Sequence, residues 1–388
     1  MTAILIELKN NVMKKITVGF ISQSSPDDKF AWSGTSYKLY ESLSKIAEVV
    51  WIPAKSSLIF YLYRFYYNMI AKFSGKNYSI MHTHLGASYI SNRIDKSRIV
   101  NCDILFCFNS PLLFKLHTNK PIIYLADATF QCLYDYYDTF SNFFKANVKE
   151  GNLIERVALN KASHIVYSSN WAKNSAINDY GIVEDKISVI EFGANIDEKN
   201  IIKHINGRKE ILHILFLGVE WERKGEDIAV ETCRILNEKG IKSTLHIVGI
   251  KELPKKYMDE PIINNIGFLN KNNPQEYAKL VEVIANSDIL LLPTKAECAG
   301  VAFSEASANQ LPIFTYDTGG IANYVENGVN GYRLDLSCGA KEFANKIIST
   351  LDNDELDNLR LGCKKMYSEK LNWNVWTTKV EEILMKVY

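Results

Sequence analysis

The sequence predicts an α/β fold made of two doubly wound domains, each a parallel sheet covered by helices. The chain has 388 residues, which is longer than one hydrophobic core usually organises, so two domains of roughly 150 to 200 residues are expected. Short apolar runs rich in β formers alternate with longer helical patterns, which is typical of βαβ units. An irregular, charged segment near residues 195–210 separates two such series and predicts a linker.

The strand candidates fall on either side of this linker. In the first half they are residues 16–22, 49–52, 104–108, 121–125 and 164–168. In the second half they are residues 212–217, 243–248, 289–292 and 312–315. Ligands of open α/β sheets bind outside the carboxyl ends of the strands, and pockets often lie between domains. We therefore expect a ligand in the cleft between the two series.

Composition and charge exclude several classes of protein. The chain carries 45 basic and 44 acidic side chains, so no overall field favours nucleic acid or membrane. Seven cysteines, without a C-x-x-C pair or clustering with histidine, argue for a reducing compartment and against disulfides and structural zinc.

No run approaches the roughly 18 apolar residues of a membrane span. Because Glu7 interrupts the N-terminal apolar run, no signal peptide is expected, and the prediction is a cytoplasmic protein. Residues 1–12 are interpreted as an extension, since Met13 followed by two lysines resembles a natural start.

The stretch SLIFYLYRFYYNMIAKFSGK, residues 57–76, is crowded with Phe and Tyr and carries Arg64, Lys72 and Lys76. At helical spacing its aromatic side chains cover more than one face. Two interpretations stay open. The stretch packs on the core and has an ordinary wet face, or it buries one side and offers another to a bilayer surface or a greasy acceptor.

Two carboxylates stand eight residues apart in ECAGVAFSEASANQLPIFTYDTGG, which runs from Glu297 to Gly320. Glu297 lies in the turn after a predicted buried strand, and Glu305 lies on a predicted helix at residues 301–309. A ligand above the start of this helix could meet both acids. The alternative is that the spacing arises by chance, as it does in most chains of this size.

A second candidate site lies in FLGVEWERKGEDIAVETCRIL, where a strand runs into Gly218 and a helix begins near Gly225. Backbone amides in such a turn can face a phosphate, and Arg223 and Lys224 add two charge-assisted donors. The segment matches neither the P-loop nor the dinucleotide fingerprint. A solvated turn is the alternative.

Together, these ordered motifs resemble the retaining GT-B-fold glycosyltransferases of family 4, also called group 1, over nearly the whole chain. Glu297 and Glu305 resemble their E-x7-E motif, and FLG-x-E-W-x-R-K-G resembles their diphosphate-binding turn. WSGTSYKLYESL, from residue 32 to 43, occupies the place of their first-domain glycine loop. The resemblance implies two Rossmann-like domains that face a central cleft. The implied domains are an acceptor domain at 1–200, a donor domain at 205–370 and a helix at 371–388 that crosses back to the first domain.

The resemblance also implies roles for individual residues. Glu297 would contact hydroxyls of the donor sugar, and Glu305 would accept hydrogen bonds from the ribose. Arg223 and Lys224 would neutralise the leaving diphosphate, because negative charge accumulates there in the transition state. The other implied donor-binding positions are the helix-start residues Gly300, Val301 and Ala302, Gly218 in the diphosphate turn, Ser33 and Gly34 in the glycine loop, and Leu269 near the base. A plain turn at the start of a helix is the alternative for Gly34.

Three departures from the family pattern bear on these roles. Asp127, in YLADAT, stands near a place where many members carry a histidine that touches the donor sugar. Three roles stay open for Asp127: binding a sugar hydroxyl, orienting the acceptor, or capping the next helix. Val219 replaces a frequent arginine, so Arg223 is expected to take over that charge. Asn309-Gln310 replaces a frequent small-x-Gly before Pro312.

The implied activity is transfer of a hexosyl unit, with retention of configuration, from a nucleotide diphosphate sugar to a glycan, glycolipid or lipid-linked acceptor. It needs no metal and no cofactor, and it would take place in the cytoplasm or at the inner face of the membrane, with peripheral contact through residues 57–76. The alternatives are a catalytically silent nucleotide-sugar binding protein and a GT-B epimerase. Glycoside hydrolysis by paired carboxylates is not expected, since one acid would face the ribose. The base, sugar and acceptor are not encoded in a readable way.

Overall fold

Two parallel β-sheets of six strands each organise the computed structural model, which describes residues 15–55, 57–201 and 210–388. The strands of the first sheet are β1 Thr17–Ser22, β2 Glu48–Pro53, β3 Ile104–Cys107, β4 Ile122–Ala126, β5 His164–Tyr167 and β6 Ile187–Val189. Those of the second are β7 Leu212–Leu217, β8 Ser243–Val248, β9 Ile263–Gly267, β10 Ile289–Leu292, β11 Ile313–Tyr316 and β12 Gly331–Leu334. The predicted α/β fold with two doubly wound sheets is confirmed. The N-terminal extension and part of the predicted linker lie outside the described residues.

Helices connect the strands in both halves. In the first half they are α1 Thr35–Ile46, α2 Leu58–Ser74, α3 His84–Ser91, α4 Lys96–Ile99, α5 Ser110–Leu113, α6 Phe130–Leu133, α7 Lys145–Lys161 and α8 Asn170–Asn178. In the second half they are α9 Trp221–Lys224, α10 Glu226–Glu238, α11 Pro274–Asn286, α12 Val301–Ala308, α13 Ala340–Asp352, α14 Leu356–Glu369 and α15 Trp373–Val387.

The strand order of the two sheets indicates where a ligand can bind. It is β2-β1-β3-β4-β5-β6 in the first sheet and β12-β11-β10-β7-β8-β9 in the second. The winding reverses between β1 and β3, and again between β7 and β10. Ligands of such sheets bind at the carboxyl ends of the strands near this reversal. The segments that follow β1, β7 and β10 are therefore well placed to form a site.

Three strands, β6, β9 and β12, were not predicted from the sequence. All three lie at sheet edges, and most of their residues are only partly buried. An edge strand needs no continuous apolar run because one side of it meets solvent or loops. The long apolar runs identified the interior strands and missed these edges.

The last helix, α15, packs on the core of the first sheet although it follows the second sheet in the chain. Trp376 is fully buried, and its ring lies 6.2 Å from that of Phe106 on β3. Trp373 Nε1 donates to Asn195 Oδ1 (3.2 Å), which ties the helix to the end of the first half. The limits given for the three domains stay predictions.

Candidate active site

The turn after β7 holds Lys224 and Arg223 in one short helix, α9, rather than in the open turn expected from the sequence. Glycines on either side shape this turn. A Cβ at Gly218 would lie 2.8 Å from Lys224 Cγ, and a Cβ at Gly225, where φ is +77°, would collide with the Pro293 carbonyl. Only glycine fits such close approaches without strain. The turn consequently presses the Lys224 stem against the strand end and buries it.

Lys224 and Arg223 converge on the carboxylate of Glu297, in the loop after β10. Lys224 Nζ and Glu297 Oε2 form an ion pair, and Arg223 Nη1 lies 3.8 Å from the same oxygen. Arg223 is held by two hydrogen bonds to Glu220 (2.8 and 2.9 Å) and donates to the Ala296 carbonyl (2.8 Å). Burial lowers the pKa of Arg223, but the hydrogen bonds to Glu220 and the negative charge of Glu297 have the larger combined effect, so the pKa is raised. Two fixed cations therefore meet one acid at this point.

Helix α12 begins beside this cluster. Phe303 and Ser304 are the first residues whose amides bond back to the Gly300 carbonyl (both 2.9 Å). The amides of Val301 and Ala302 precede them, so they lack partners inside the helix and can serve an anion. Ser304 Oγ donates to the Phe192 carbonyl (2.8 Å), which anchors the helix to the first half of the chain.

Glu305 is buried on α12, and its carboxylate Oε1 lies 2.6 Å from Lys271 Nζ. Lys271 follows β9 in the same segment as Leu269, and Leu269 packs against the hydrophobic core of the second sheet. Lys271 also lines a small pocket, and Gly34, Lys29 and Tyr277 are among its other lining residues. Glu305 is thus placed next to a pocket between the two halves. Sequence reasoning did not single out Lys271, which stands in no recognisable motif.

The glycine loop adopts a backbone that the sequence did not predict. Trp32, Ser33 and Gly34 all have positive φ, at +50°, +55° and +89°. Asn195 Nδ2 holds this shape by donating to the Ser33 carbonyl (3.0 Å) and to Thr35 Oγ1 (3.1 Å). Non-glycine residues with positive φ are uncommon and tend to mark functional sites when the surroundings fix them.

Asp127 follows β4 and faces the glycine loop. Trp32 Nε1 donates to Asp127 Oδ2 (3.3 Å). The interpretation of Asp127 as a helix cap is wrong, because Thr129 Oγ1 caps α6 by accepting from the Cys132 amide (3.1 Å). Burial raises the pKa of Asp127 to about 6, and the negative charge of Glu297 adds to the shift. The carboxylate is therefore within electrostatic reach of the charged cluster.

Two tyrosines that the sequence did not reveal connect the halves. The Tyr136 hydroxyl accepts from the Glu297 amide (2.8 Å) and lies 3.3 Å from the Glu297 carbonyl and 3.1 Å from Thr318 Oγ1. The Tyr137 hydroxyl accepts from the Cys298 amide (3.2 Å), and the Arg223 guanidinium lies 5.1 Å from its ring centre. Burial raises the pKa of Tyr136 to about 12, so this hydroxyl stays protonated at neutral pH.

One sequence signal could have pointed to this contact. A Cβ at Gly319, the first residue of the Gly-Gly pair, would collide with the Tyr136 hydroxyl. The pair therefore leaves space for a side chain from the other half.

In the part of the chain that the structure describes, no three His, Cys, Asp or Glu side chains form a group that could hold a metal ion.

Comparison with protein families gives a match in the second half of the chain. Residues 197–364 match the model of "Glycosyl transferases group 1", and this span contains Arg223, Lys224, Glu297 and Glu305. The amylovoran biosynthesis glycosyltransferase AmsK of Erwinia amylovora is 29% identical over 165 residues, or 39% of either chain. The lipopolysaccharide glucosyltransferase WaaG of Escherichia coli is 29% identical over 148 residues, 37% of this chain and 36% of the relative.

A third relative extends this similarity. An uncharacterized 41.2 kDa protein in the cps region of Klebsiella pneumoniae is 22% identical over 228 residues, 56% of this chain and 60% of the relative. The aligned segments thus span between 36 and 60% of these relatives' length.

Solved structures match over nearly the whole chain. A glycosyltransferase from Rickettsia africae has a TM-score of 0.61 at 16% identity, covering 96% of this chain and 98% of its own. Anabaena Alr3699/HepE, crystallised with UDP-glucose, reaches 0.63 at 14% identity, covering 96% and 100%. Sucrose-phosphate synthase from Thermosynechococcus elongatus reaches 0.68 at 13% identity, covering 96% and 99%. The chain thus has the GT-B fold, and residues 197–364 are similar to the group 1 glycosyl transferases.

Proposed function

We propose that the protein is a cytoplasmic, retaining glycosyltransferase of family 4. It moves a hexosyl unit from a nucleotide diphosphate sugar to a glycan, glycolipid or lipid-linked acceptor and needs no metal ion. One observation carries the proposal: Lys224 and Arg223 converge on Glu297 beside the first turn of α12. Fixed cations, free amides and an acid thus meet at the cleft.

The charges on the second half of the chain suit a departing diphosphate. Negative charge accumulates on the leaving oxygen during glycosyl transfer, and fixed donors that face it lower the barrier. Lys224 and Arg223 supply two such donors, and the amides of Val301 and Ala302 supply more. These groups would perform the charge neutralisation that a divalent cation performs elsewhere. Metal independence is therefore part of the proposal.

Glu297 and Glu305 would bind different parts of the donor. When a diphosphate takes up the charge of Lys224, the Glu297 carboxylate becomes free to accept hydrogen bonds from sugar hydroxyls. Glu305 lies on α12 and would accept hydrogen bonds from the ribose; its Oε1 is 2.6 Å from Lys271 Nζ. The Leu269 segment would lie near the base. From the first half, Asp127 would accept a hydrogen bond from a sugar or acceptor hydroxyl.

The known proteins support the substrate class. AmsK is named for amylovoran biosynthesis, and WaaG is named as a lipopolysaccharide glucosyltransferase. HepE was crystallised with UDP-glucose. A nucleotide sugar donor and a polysaccharide or lipopolysaccharide acceptor are consistent with these names.

Thermal unfolding in the presence of nucleotide sugars and nucleoside diphosphates tests donor binding. A ligand at about 100 times its Kd stabilises the folded state by roughly 2.7 kcal/mol, which shifts the midpoint by several degrees. We expect one base to raise the wild-type midpoint and Lys224→Ala to lose the shift. The control is Lys341→Ala, an exposed lysine on α13, which should keep it. No shift with any member of the panel would contradict the proposal.

Product analysis separates the alternatives. After the protein is incubated with donor and acceptor extracts, NMR of the anomeric proton should show that the product keeps the donor's configuration. A chelator should not lower the rate of transfer. Binding without turnover would favour the silent binding protein. A new nucleotide sugar formed without acceptor would favour the epimerase.

A further inference from the structure

The outward face of α2 is apolar along its whole length. The helix has 17 residues, and its side chains at steps of three or four residues form one stripe. This stripe consists of Leu58, Leu62, Phe65, Met69 and Phe73, which are between 38 and 83% exposed. A surface helix of a soluble protein normally places polar residues there. The exposed stripe therefore requires an explanation other than solvation.

Core packing accounts only for the opposite face of α2. Phe60 is buried, and its ring stacks on Tyr89 at 5.2 Å, while Tyr67 stacks on Tyr78 at 4.6 Å. These residues point to the side of the helix away from the stripe, because Phe60 and Tyr67 are seven positions apart and share one face. The inward face is thus satisfied by first-half partners, and the outward stripe is left uncovered.

The charged residues of α2 and the two residues after it are all positive. Residues 57–76 contain neither Asp nor Glu. Lys72 and Lys76 are exposed at the C-terminal end of this stretch, whereas Arg64 lies three or four positions from Phe60 and Tyr67 and shares their face. Two copies of the chain that met through this face would bring the same cations together without an acidic partner, which disfavours self-association. An anionic surface with an apolar interior complements both the charges and the stripe.

We propose that α2 docks on the surface of an anionic lipid bilayer, with the stripe in the acyl-headgroup boundary and Lys72 and Lys76 at the headgroups. The helix is about 25 Å long at 1.5 Å per residue, shorter than the roughly 30 Å hydrocarbon core. No described helix is long and apolar enough to cross a membrane. The helix thus lies along the surface rather than across the bilayer.

The position of α2 links this surface to the candidate active site. Asn77 Nδ2, just after the helix, donates to the carbonyls of Asp138 (2.7 Å) and Ser141 (2.8 Å). These residues belong to the segment whose Tyr136 holds Glu297. Docking would bring lipid close to the cleft, where a lipid-linked acceptor could enter. The docking itself does not depend on the proposed transferase activity.

Vesicle flotation of the full chain tests the proposal. We expect the wild type to float with vesicles of phosphatidylcholine and phosphatidylglycerol in equal parts, and at least tenfold less with phosphatidylcholine alone. The triple variant Leu62→Ser/Phe65→Ser/Phe73→Ser should lose binding at least tenfold. Lys72→Gln/Lys76→Gln should lose the preference for anionic vesicles. The matched control is Leu361→Ser/Met385→Ser, two similarly exposed apolar residues elsewhere, which should bind like the wild type.

Three results would overturn the docking proposal. They are absence of wild-type binding to anionic vesicles, equal binding by the triple variant, and a wild-type dimer that the triple variant converts to a monomer without any vesicle binding. Thermal midpoints of all variants show that they fold. The donor-induced shift in the same variants reports on the proposed function separately.

Discussion

The two walls of the cleft are built from different kinds of groups. On the second-half wall, ion pairs dominate, with Lys224 and Arg223 around Glu297 and Lys271 on Glu305. The first-half wall presents aromatic hydroxyls and strained backbone, and the hydroxyl of Tyr136 bonds the main chain of Glu297. In the proposed reaction the charged wall would carry the chemistry, and the aromatic wall would position the loop that carries one of its acids.

The largest effect is expected from removing either cation of the charged wall. Lys224→Ala and Arg223→Ala should each lower kcat/KM by about 10²- to 10³-fold, as loss of a fixed transition-state donor does. The two losses should be similar, because Arg223 is expected to replace the arginine absent at Val219. Steady-state kinetics on both variants measures this.

Arg223→Lys is the matched control, because it keeps the charge and loses the paired hydrogen bonds to Glu220. Its kcat/KM should fall between the wild type and Arg223→Ala. Near-wild-type activity of Arg223→Ala would show that Arg223 only supports the turn.

Apart from Lys271, the charged wall could be predicted from sequence, and the aromatic wall largely could not. Lys224, Glu297 and Glu305 stand in the loop and short helices that follow β7 and β10, where a local motif also fixes the place in the fold. Tyr136 meets Glu297 across 161 residues of sequence, and Lys271 meets Glu305 from an irregular segment. No local pattern encodes such contacts, which arise only when the two halves pack.

The fold shows the same limit. Interior strands are continuous apolar runs and were found, whereas the edge strands β6, β9 and β12 were missed. The positive φ of Trp32 and Ser33 was also unpredictable. It depends on Asn195, which lies far along the chain and is itself held by Trp373 of the last helix.

Asp127, on the aromatic wall, gives the next largest effect. With a pKa of about 6, Asp127 loses its negative charge as the pH falls through 6. If the carboxylate accepts a hydrogen bond from a substrate hydroxyl, kcat/KM should decline below about pH 6. Asp127→Asn should lower kcat/KM at pH 8 by about tenfold or more, since hydrogen bonds to charged groups contribute roughly 1.5–3 kcal/mol. It should also remove the acidic limb of the profile.

Full pH profiles of wild type and Asp127→Asn decide this point. A neighbouring substitution, Trp32→Phe, removes the donor to Asp127 and should shift the limb without abolishing it. An unchanged acidic limb in Asp127→Asn would assign the limb to another group.

Removal of the Tyr136 hydroxyl tests how strongly the aromatic wall fixes the position of the Glu297 loop. Tyr136→Phe leaves the Glu297 amide without its partner, and an unsatisfied buried donor costs about 1–3 kcal/mol. We expect roughly tenfold lower kcat with a smaller change in donor affinity, because the Glu297 loop loses its position. Tyr137→Phe should have a smaller effect, since it removes only one bond of 3.2 Å. Equal effects on kcat and KM for Tyr136→Phe would contradict a positioning role.

A buried acid behind the charged wall should affect stability rather than rate. Glu226 is fully buried, and among the described residues its carboxylate oxygens have no hydrogen-bond partner. Burial raises its pKa to about 8, so the folded state keeps the proton that the unfolded chain releases near its ordinary pKa of about 4.5. The stability that this proton contributes is complete below pH 4.5 and is lost as the pH rises through 8.

Glu226→Gln should therefore flatten the decline in the free energy of unfolding between about pH 5 and 8 and stabilise the protein at pH 8 by about 1–3 kcal/mol. Urea unfolding at a series of pH values measures this. Glu222→Gln, an exposed acid on α9, should leave the slope unchanged. An identical slope in both variants would show that Glu226 is ionised in the folded protein.

The smallest effect is expected at the turn that follows α12, the helix that carries Glu305 of the charged wall. Helix α12 carries Glu305 and ends at Ala308, and Gln310 follows at φ +57°, where the family pattern places glycine. A non-glycine residue in this conformation is strained by about 1–2 kcal/mol, which the greater entropy of an unfolded glycine offsets in part. Gln310→Gly should therefore stabilise the protein by about 0.5–1 kcal/mol and leave kcat/KM unchanged. Gln310→Ala keeps the strain and should not stabilise. If both variants stabilised equally, the cause would be the loss of the glutamine side chain rather than relief of the backbone, and the turn would contribute no strain to the wall that it supports.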